Sequence, residues 1–289
     1  MIIWIASYPK SGNTWFRALL SAYLYSEDGV FKFELLKNIS QFPTRQDVQE
    51  FTNNFKSPVE TSKYWIAAQK KLNLDKKIHF LKTHSSMCTL EGNSFTDKAN
   101  TIASIYIVRD PRNVITSIAN HYEFSINEAF EFLTNKRKII FDPEYQDYGD
   151  IQFLGDWANH YKSWKNLTIA LVKIVKYEDL VNNTKKTFID LLDFLKKFTS
   201  VNVDEKKLNT VIRTTDFNTL KLKEEQFGFE ESIMSKKSDK KIKFFNLGKD
   251  NNWKKLLDSK IEKKITESFR LTMKELNYIT NWLKKLNQN

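Results

Sequence analysis

Four short apolar runs, separated by stretches with helical periodicity, constrain the fold of this 289-residue chain most strongly. The runs cover residues 2–6, 78–82, 102–108 and 169–175. They are rich in Ile and Val and are apolar at consecutive positions, which is typical of strands buried on both faces. Amphipathic helices are predicted over 14–24, 113–122, 184–198 and 254–286. This order predicts an α/β fold in which helices flank a central parallel sheet.

The chain offers few positions at which domains could be divided. It contains only seven glycines and five prolines, and neither an internal repeat nor a linker-like segment is found along it. We therefore expect a single domain over residues 1–289. Residues 37–77 and 220–250 have no clear periodicity and are predicted to be irregular.

The charge balance first suggests an anionic partner. Lysine and arginine together number 46 against 35 acidic residues, which gives a net charge of +11. Only seven of these 46 cations are arginines. Surfaces that read nucleic acid favour the planar guanidinium, so a lysine-rich surface is weak support for such a partner. We expect no nucleic-acid partner and interpret most of the charge as a solvated surface.

Neither a membrane span nor a metal centre is indicated. The apolar run at residues 1–7 is too short to cross a bilayer and has no basic region before it, so it is interpreted as a strand rather than a signal peptide. The single cysteine, Cys88, excludes an internal disulfide framework, and four histidines leave little for a metal cluster. We expect a soluble, cytoplasmic protein without a metal site.

An anion-binding loop is predicted where the first strand passes into the first helix. Residues 7–15 read SYPKSGNTW, which brings a lysine, small residues and hydroxyl groups to a helix start. Free backbone N–H groups and the positive end of the helix dipole favour anions there, and Lys10 adds a full charge. The loop differs from a Walker A motif, whose lysine follows the second glycine, because Lys10 precedes Gly12.

Further motifs follow this loop in order. They are FLKTH at 80–84, VRDPRNVITS at 108–117, GDW at 155–157, YEDL at 177–180, TDF at 215–217 and a Gly-to-Trp segment at 248–253. Together with the loop, they resemble the cytosolic-type sulfotransferases, which use 3′-phosphoadenosine 5′-phosphosulfate (PAPS) as donor. The resemblance covers residues 8–253 and implies a three-layer fold like that of the P-loop NTPases, with a central parallel sheet flanked by helices.

The resemblance also implies a role for individual residues. His84 would be the catalytic base, Lys10 would neutralise charge on the leaving adenosine 3′,5′-bisphosphate (PAP), and Lys82 would hold the transferring sulfuryl group. The residues implied to bind the donor are Lys10, Ser11, Gly12, Asn13, Thr14, Trp15, Arg109, Ser117, Tyr177, Thr215, Phe217 and Gly248. No metal is expected, because a sulfuryl group carries less charge than a phosphoryl group.

One motif departs from the family pattern. Residues 245–253 keep the Gly-to-Trp spacing but lack the Arg-Lys pair that precedes the glycine and clamps the 3′-phosphate. We hypothesise that Lys243 or Lys249 supplies the missing charge, as a point charge rather than a fork.

The acceptor is predicted only by class, as a small molecule or glycan with a free hydroxyl or amine. An apolar acceptor pocket is suggested by aromatic residues in the candidate loops, namely Phe42, Phe51, Phe55, Tyr64, Trp65, Phe124, Phe227 and Phe229. Two other functions stay open: a P-loop-type nucleotide kinase, and a non-catalytic basic module that binds nucleic acid or another anion. The oligomeric state is also open, and a homodimer is one alternative.

Overall fold

The structure is a computed structural model that describes residues 1–235 and 237–279. Its strands are β1 (Ile2–Ser7), β2 (His79–Thr83), β3 (Thr89–Leu90), β4 (Asn93–Ser94), β5 (Thr101–Val108), β6 (Ile139–Asp142), β7 (Asp147–Phe153) and β8 (Leu171–Lys176). Its helices are α1 (Asn13–Tyr25), α2 (Arg45–Val48), α3 (Pro58–Ser62), α4 (Trp65–Leu72), α5 (Pro111–Tyr122), α6 (Ile126–Thr134), α7 (Trp157–Lys165), α8 (Tyr177–Asn182), α9 (Thr184–Leu195), α10 (Glu205–Thr214), α11 (Phe217–Phe227), α12 (Trp253–Leu256), α13 (Ser259–Ser268) and α14 (Arg270–Glu275). Short 3₁₀ turns lie at Phe33–Asn38, Asn73–Asp75 and Gly248–Asp250.

The central sheet confirms the predicted parallel arrangement. Its strand order is β2-β1-β5-β8, and each neighbouring pair is parallel. Two antiparallel ribbons, β3–β4 and β6–β7, lie outside this sheet. Every residue of β1 is buried, as expected for a strand covered on both faces.

Side chains that alternate along β1 enter two separate apolar clusters. Trp4 belongs to the cluster that contains buried residues of α5, α7 and α13. Ile3 and Ile5 belong to the other, which contains buried residues of α1, α9 and α10. Each fully buried side chain of this size contributes about 1.5–3 kcal/mol relative to an exposed one. The sheet is therefore the middle of three layers, as the resemblance implied.

Four features differ from the sequence predictions. The stretch predicted to be irregular from residue 220 is helical as far as Phe227, because α11 buries few apolar side chains and so shows little periodicity. Residues 37–77 hold the short helices α2, α3 and α4, and the β6–β7 hairpin was not predicted. The predicted C-terminal helix is divided into α12, α13 and α14. Asp258 is the N-cap of α13, and its side chain accepts a hydrogen bond from the Ile261 N–H. The part of that prediction beyond residue 279 lies outside the described residues.

The parallel sheet brings four chain segments to one edge. The carboxyl ends of β1, β2, β5 and β8 are followed by the loop that contains Lys10, by His84, by Arg109 and by Tyr177, respectively. This edge is where open α/β sheets bind ligands. Within the described residues, no helix combines the length and the apolar character needed to cross a bilayer.

Candidate active site

A cavity of about 1010 Å³ opens at the carboxyl edge of the sheet. Most residues implied to bind the donor or to act in catalysis lie in its wall: Lys10, Gly12, Asn13, Thr14, Trp15, Lys82, His84, Arg109, Ser117, Tyr177, Phe217 and Gly248. Ser11 and Thr215 are fully buried and do not form part of the wall. Residues more than 200 positions apart in sequence therefore meet around one space.

The loop between β1 and α1 leaves the first N–H groups of α1 without a side-chain cap, whereas the Ser11 N–H donates to the Tyr8 carbonyl oxygen at 3.3 Å. Gly12 is the N-cap of α1 in the left-handed region, with φ 96°, and no side chain caps the helix. The Tyr177 ring packs so closely on Gly12 that a Cβ would lie 2.3 Å from a ring carbon. Ser11 Oγ and Asn13 Oδ1 are buried without hydrogen-bond partners. Such a cradle suits an anion.

Lys10 is held in a left-handed backbone conformation, with φ 65°, at the mouth of this cradle. Its Nζ lies 4.0 Å from the centroid of the Phe244 ring. Burial lowers the pKa of Lys10 to about 7, with Lys82 and Arg109 acting in the same direction and Glu231 opposing them. The fraction of Lys10 that is a neutral amine near pH 7 is therefore poised to gain a proton when an anion binds beside it.

His84 follows β2 directly, and its ring orientation is fixed by the neighbouring strand. Its Nδ1–H donates to the carbonyl oxygen of Ser7 at 2.8 Å, and its backbone N–H donates to Gln152 Oε1 at 2.9 Å. Because a carbonyl oxygen only accepts hydrogen bonds, this contact leaves the lone pair on Nε2. Burial, together with Lys82, lowers the pKa of His84 to about 3. The ring is therefore neutral at physiological pH and can accept a proton at Nε2.

A buried hydrogen-bonded chain supports the backbone of His84. The Tyr106 hydroxyl donates to His160 Nδ1 at 2.8 Å, and His160 Nε2–H donates to the His84 carbonyl oxygen at 2.8 Å. His160 is fully buried, and burial lowers its pKa to about 4. This histidine belongs to the GDW helix, α7, whose Trp157 and Trp164 are buried in the core.

The side of the cavity implied to bind adenine is formed by aromatic rings. Trp15 Nε1–H donates to the Thr215 carbonyl oxygen at 2.9 Å, and its ring meets Tyr177 edge-on with centroids 5.8 Å apart. Gly248 packs against Phe217, where an added Cβ would lie 2.7 Å from ring carbons. Thr215 thus contacts Trp15 through its backbone.

Arg109 and Ser117, which the resemblance assigns to the 3′-phosphate, both line the cavity. Arg109 Nη1 donates to the Lys10 carbonyl oxygen at 3.1 Å, and its Nε is buried without a partner. The guanidinium carbon lies 4.2 Å from the centroid of the Tyr177 ring. The guanidinium therefore keeps donor capacity for an anion.

The structure describes the side chain of one of the two lysines hypothesised to replace the missing Arg-Lys pair. Lys243 pairs with Glu225 at 2.6 Å, is largely exposed and lies outside the cavity wall, so the structure does not support it as the replacement. The side chain of Lys249 lies outside the described part of the chain. Lys221 of α11, one turn after Phe217, lines the cavity and supplies a cation at this end.

The end of the cavity beyond His84 mixes aromatic, apolar and acidic side chains. The wall there consists of Gln41, Arg45, Tyr122, Ile140, Phe141, Asp142, Asp147, Asp150 and Gln152. The eight loop aromatics suggested by the sequence are not part of this wall, so that prediction is wrong for these residues. Phe42, Phe55 and Trp65 are buried in the core instead, and Phe227 and Phe229 border a second cavity of about 490 Å³.

Several wall residues were not singled out from the sequence, among them Glu231, His121 and Lys221. Glu231 contacts Thr14 and Lys82, and His121 lies edge-on to Phe244 with ring centroids 5.9 Å apart. None of these three belongs to a motif quoted above, and only the tertiary fold brings them to the cavity. Among residues 1–235 and 237–279, no group of three or more His, Cys, Asp or Glu side chains is placed to hold a metal ion.

Comparisons with known proteins agree with this geometry. A family model of the sulfotransferase domain matches residues 2–277. Sulfotransferase 1A1 of Rattus norvegicus is 24% identical over 283 residues, which cover 95% of this chain and 85% of the relative. Mouse sulfotransferase SULT7A1 complexed with PAP has a TM-score of 0.58 at 19% identity, over 94% of this chain and 84% of that chain. Retinol dehydratase in complex with androsterone and the inactive cofactor PAP has a TM-score of 0.59 at 16% identity. The match covers 94% of this chain and 80% of that chain.

The structural likenesses show a shared α/β fold, and the family match shows descent. It spans almost the whole chain and includes the anion-binding loop, the strand that ends at His84 and the segment around Gly248. The chain therefore belongs to the sulfotransferase family, whose members transfer a sulfuryl group from PAPS to an acceptor.

Proposed function

We propose that this protein transfers the sulfuryl group of PAPS to a hydroxyl or amine of a small-molecule or glycan acceptor, with His84 as general base. The observation that carries the proposal is the hydrogen bond from His84 Nδ1–H to the Ser7 carbonyl oxygen. It directs the basic Nε2 of a neutral ring into the same cavity as the anion-binding loop, Lys10 and Lys82. General base catalysis needs such a positioned lone pair.

Three features of the cavity support PAPS as the donor. The uncapped start of α1 and the buried, unpartnered Ser11 Oγ suit a phosphosulfate anion. Arg109 keeps an unpartnered Nε and lines the cavity, as Ser117 does, which suits a second anionic group. Trp15 and Phe217 offer aromatic surface to a planar base.

His84, Lys10 and Lys82 have different roles in the proposed transfer. His84 Nε2 accepts the proton that the acceptor loses as its oxygen or nitrogen bonds to sulfur. Lys10 neutralises the negative charge left on the 5′-phosphate oxygen when the S–O bond breaks, and Lys82 holds the sulfuryl oxygens. Preorganised charges of this kind supply most of the stabilisation in related phosphoryl transfers.

The pH dependence follows from the two perturbed pKa values. kcat/KM reports ionisations of the free enzyme. Lys10, with a pKa of about 7, loses its proton above pH 7, so kcat/KM should fall there. His84, with its pKa lowered to about 3, stays neutral on moderate acidification, so no loss of its base function is expected down to about pH 5. A pH–rate profile with an acid limb near pH 6.5 would contradict this assignment.

The test of the general base is the His84→Gln variant. We expect kcat to fall by about a hundredfold or more while PAP still binds, because glutamine cannot take up the proton. His79→Gln is the matched control, since His79 starts the same strand but pairs with Asp75 at 2.8 Å outside the cavity wall. Near-normal turnover in His84→Gln would refute the assignment.

Thermal shift with three ligands separates this function from the two alternatives. A sulfotransferase should be stabilised by PAP more than by ATP or DNA. Preferential stabilisation by ATP with Mg²⁺ would favour the kinase, and binding to DNA that weakens steeply with salt would favour the basic module. A screen of hydroxyl and amine acceptors with labelled donor would then define the acceptor class. The cytoplasmic location, the single domain, the absence of a nucleic-acid partner and the homodimer alternative stay predictions.

A further inference from the structure

Glu231 extends into the cavity from residues 228–247, the segment between α11 and the turn at Gly248. Its Oε2 accepts a hydrogen bond from Thr14 Oγ1 at 2.6 Å. Its Oε1 lies 2.6 Å from Arg17 Nη1 and 3.4 Å from Lys82 Nζ. Thr14 belongs to the anion-binding loop and Lys82 lies two residues before His84, so both lie where the proposed function puts the phosphosulfate.

The contacts of this side chain favour its charged form. Burial opposes ionisation, but Lys82, Arg17 and the Thr14 hydroxyl together hold the pKa of Glu231 well below its usual range. Arg17 is itself buried, with its side chain only 5% exposed, and so the pair is fixed in place. The wall beside the anion-binding loop thus holds a carboxylate, Glu231, next to the cation Lys82.

A carboxylate at this position distinguishes the two groups that could end the donor. A sulfuryl ester carries one negative charge, whereas a terminal phosphoryl group carries nearly two at pH 8, since its second pKa is about 6. Like charges a few ångströms apart in a partly buried site repel strongly. The second negative charge of a phosphoryl group would face Glu231. The sulfuryl group has no second charge and would avoid this repulsion.

We propose that Glu231 is a specificity-determining residue of the donor site, which disfavours a terminal phosphoryl group and so selects PAPS over the corresponding diphosphate. The inference rests on the proposed function. Glu231 would weaken the binding of nucleotides that match PAPS except for a phosphoryl group in place of the sulfuryl group.

The test compares two ligands that differ only in the terminal group. Dissociation constants for PAPS and for adenosine 3′-phosphate 5′-diphosphate are measured by calorimetry at pH 8, without acceptor. We expect the wild-type protein to bind PAPS at least about tenfold more tightly than the diphosphate, and Glu231→Gln to reduce that ratio by about tenfold. Because each ratio is taken within one protein, a general loss of stability does not alter it.

Glu230→Gln is the matched control. Glu230 is the adjacent residue, and its side chain is 82% exposed and 3.4 Å from Lys37 at the surface. The substitution removes the same charge from the same segment and should leave the ratio unchanged. An equal shift in both variants would show a long-range charge effect and overturn the role of Glu231.

Two further outcomes would overturn the inference while leaving the proposed function intact. One is that the wild-type protein binds the diphosphate as tightly as PAPS. This measurement does not depend on whether any variant folds. The other is a Glu231→Gln variant with the wild-type ratio. Failure of both PAPS and PAP to bind the wild-type protein would instead refute the proposed function.

Discussion

Lys10 is the group whose ionisation should be coupled most strongly to donor binding. Burial lowers its pKa from the ordinary 10.5 to about 7, so near pH 7 only about half of the molecules carry the ammonium. Bound phosphate oxygens beside Nζ favour the charged form and should raise the pKa well above 8. Binding of PAP must then take up a proton in the molecules that lacked one.

The expected size of this effect follows from the pKa of the free protein. Uptake by Lys10 should be about 0.1 proton at pH 6, about 0.5 at pH 7 and about 0.9 at pH 8. Above pH 7 this coupling should weaken PAP binding by about tenfold for each pH unit. The difference between the ordinary and the lowered pKa corresponds to roughly 5 kcal/mol, which opposes burial of the ammonium in the free protein.

The assay is isothermal titration calorimetry of PAP in two buffers with different ionisation enthalpies. The proton uptake of the wild-type protein is compared with that of Lys10→Met, which removes the ammonium but keeps an apolar stem beside Phe244. Ionisation of the PAP phosphates contributes to both titrations and largely cancels in the difference.

We expect the two proteins to differ by about 0.9 proton at pH 8 and by almost nothing at pH 6. Equal uptake at pH 8 would refute the reasoning, because it would mean that Lys10 is already charged in the free protein. A Lys10→Met variant that binds PAP as tightly as the wild-type protein at pH 6 would also contradict a contact between Lys10 and the bound phosphates.

Two further substitutions test the walls of the site. Gly12→Ala should lower both the melting temperature and the donor affinity, because its Cβ would lie 2.3 Å from a Tyr177 ring carbon; the control Gly92→Ala, also at positive φ but with nothing within 4 Å, should be milder. Similar melting temperatures for the two variants would contradict the close packing. Lys221→Met should raise the KM for PAPS about three- to tenfold without a comparable change in kcat, while Lys223→Met, outside the cavity wall, should not. Equal KM values for PAPS in Lys221→Met and the wild-type protein would contradict a contact between Lys221 and the 3′-phosphate.

Much of the fold could be read from local patterns. Continuous apolar runs form strands only where both faces of a sheet are covered, so the parallel sheet followed from composition along the chain. The predicted strand at 2–6 is observed as Ile2–Ser7, and the third is observed as Thr101–Val108. The helix α11 was not predicted, because its charged residues mask the few buried positions that hold it in place.

The fold class and the family follow from the sequence alone, because these depend on residues close together in the chain. The tertiary structure decided which side chains face one another across the cavity. Only the approach of β1 to β2 fixes the tautomer of His84, through the Ser7 carbonyl oxygen. Only the return of the 228–247 segment brings Glu231 to Thr14, 217 positions away. Contacts between distant residues leave no periodic signal in sequence, since their register is set by how whole elements pack.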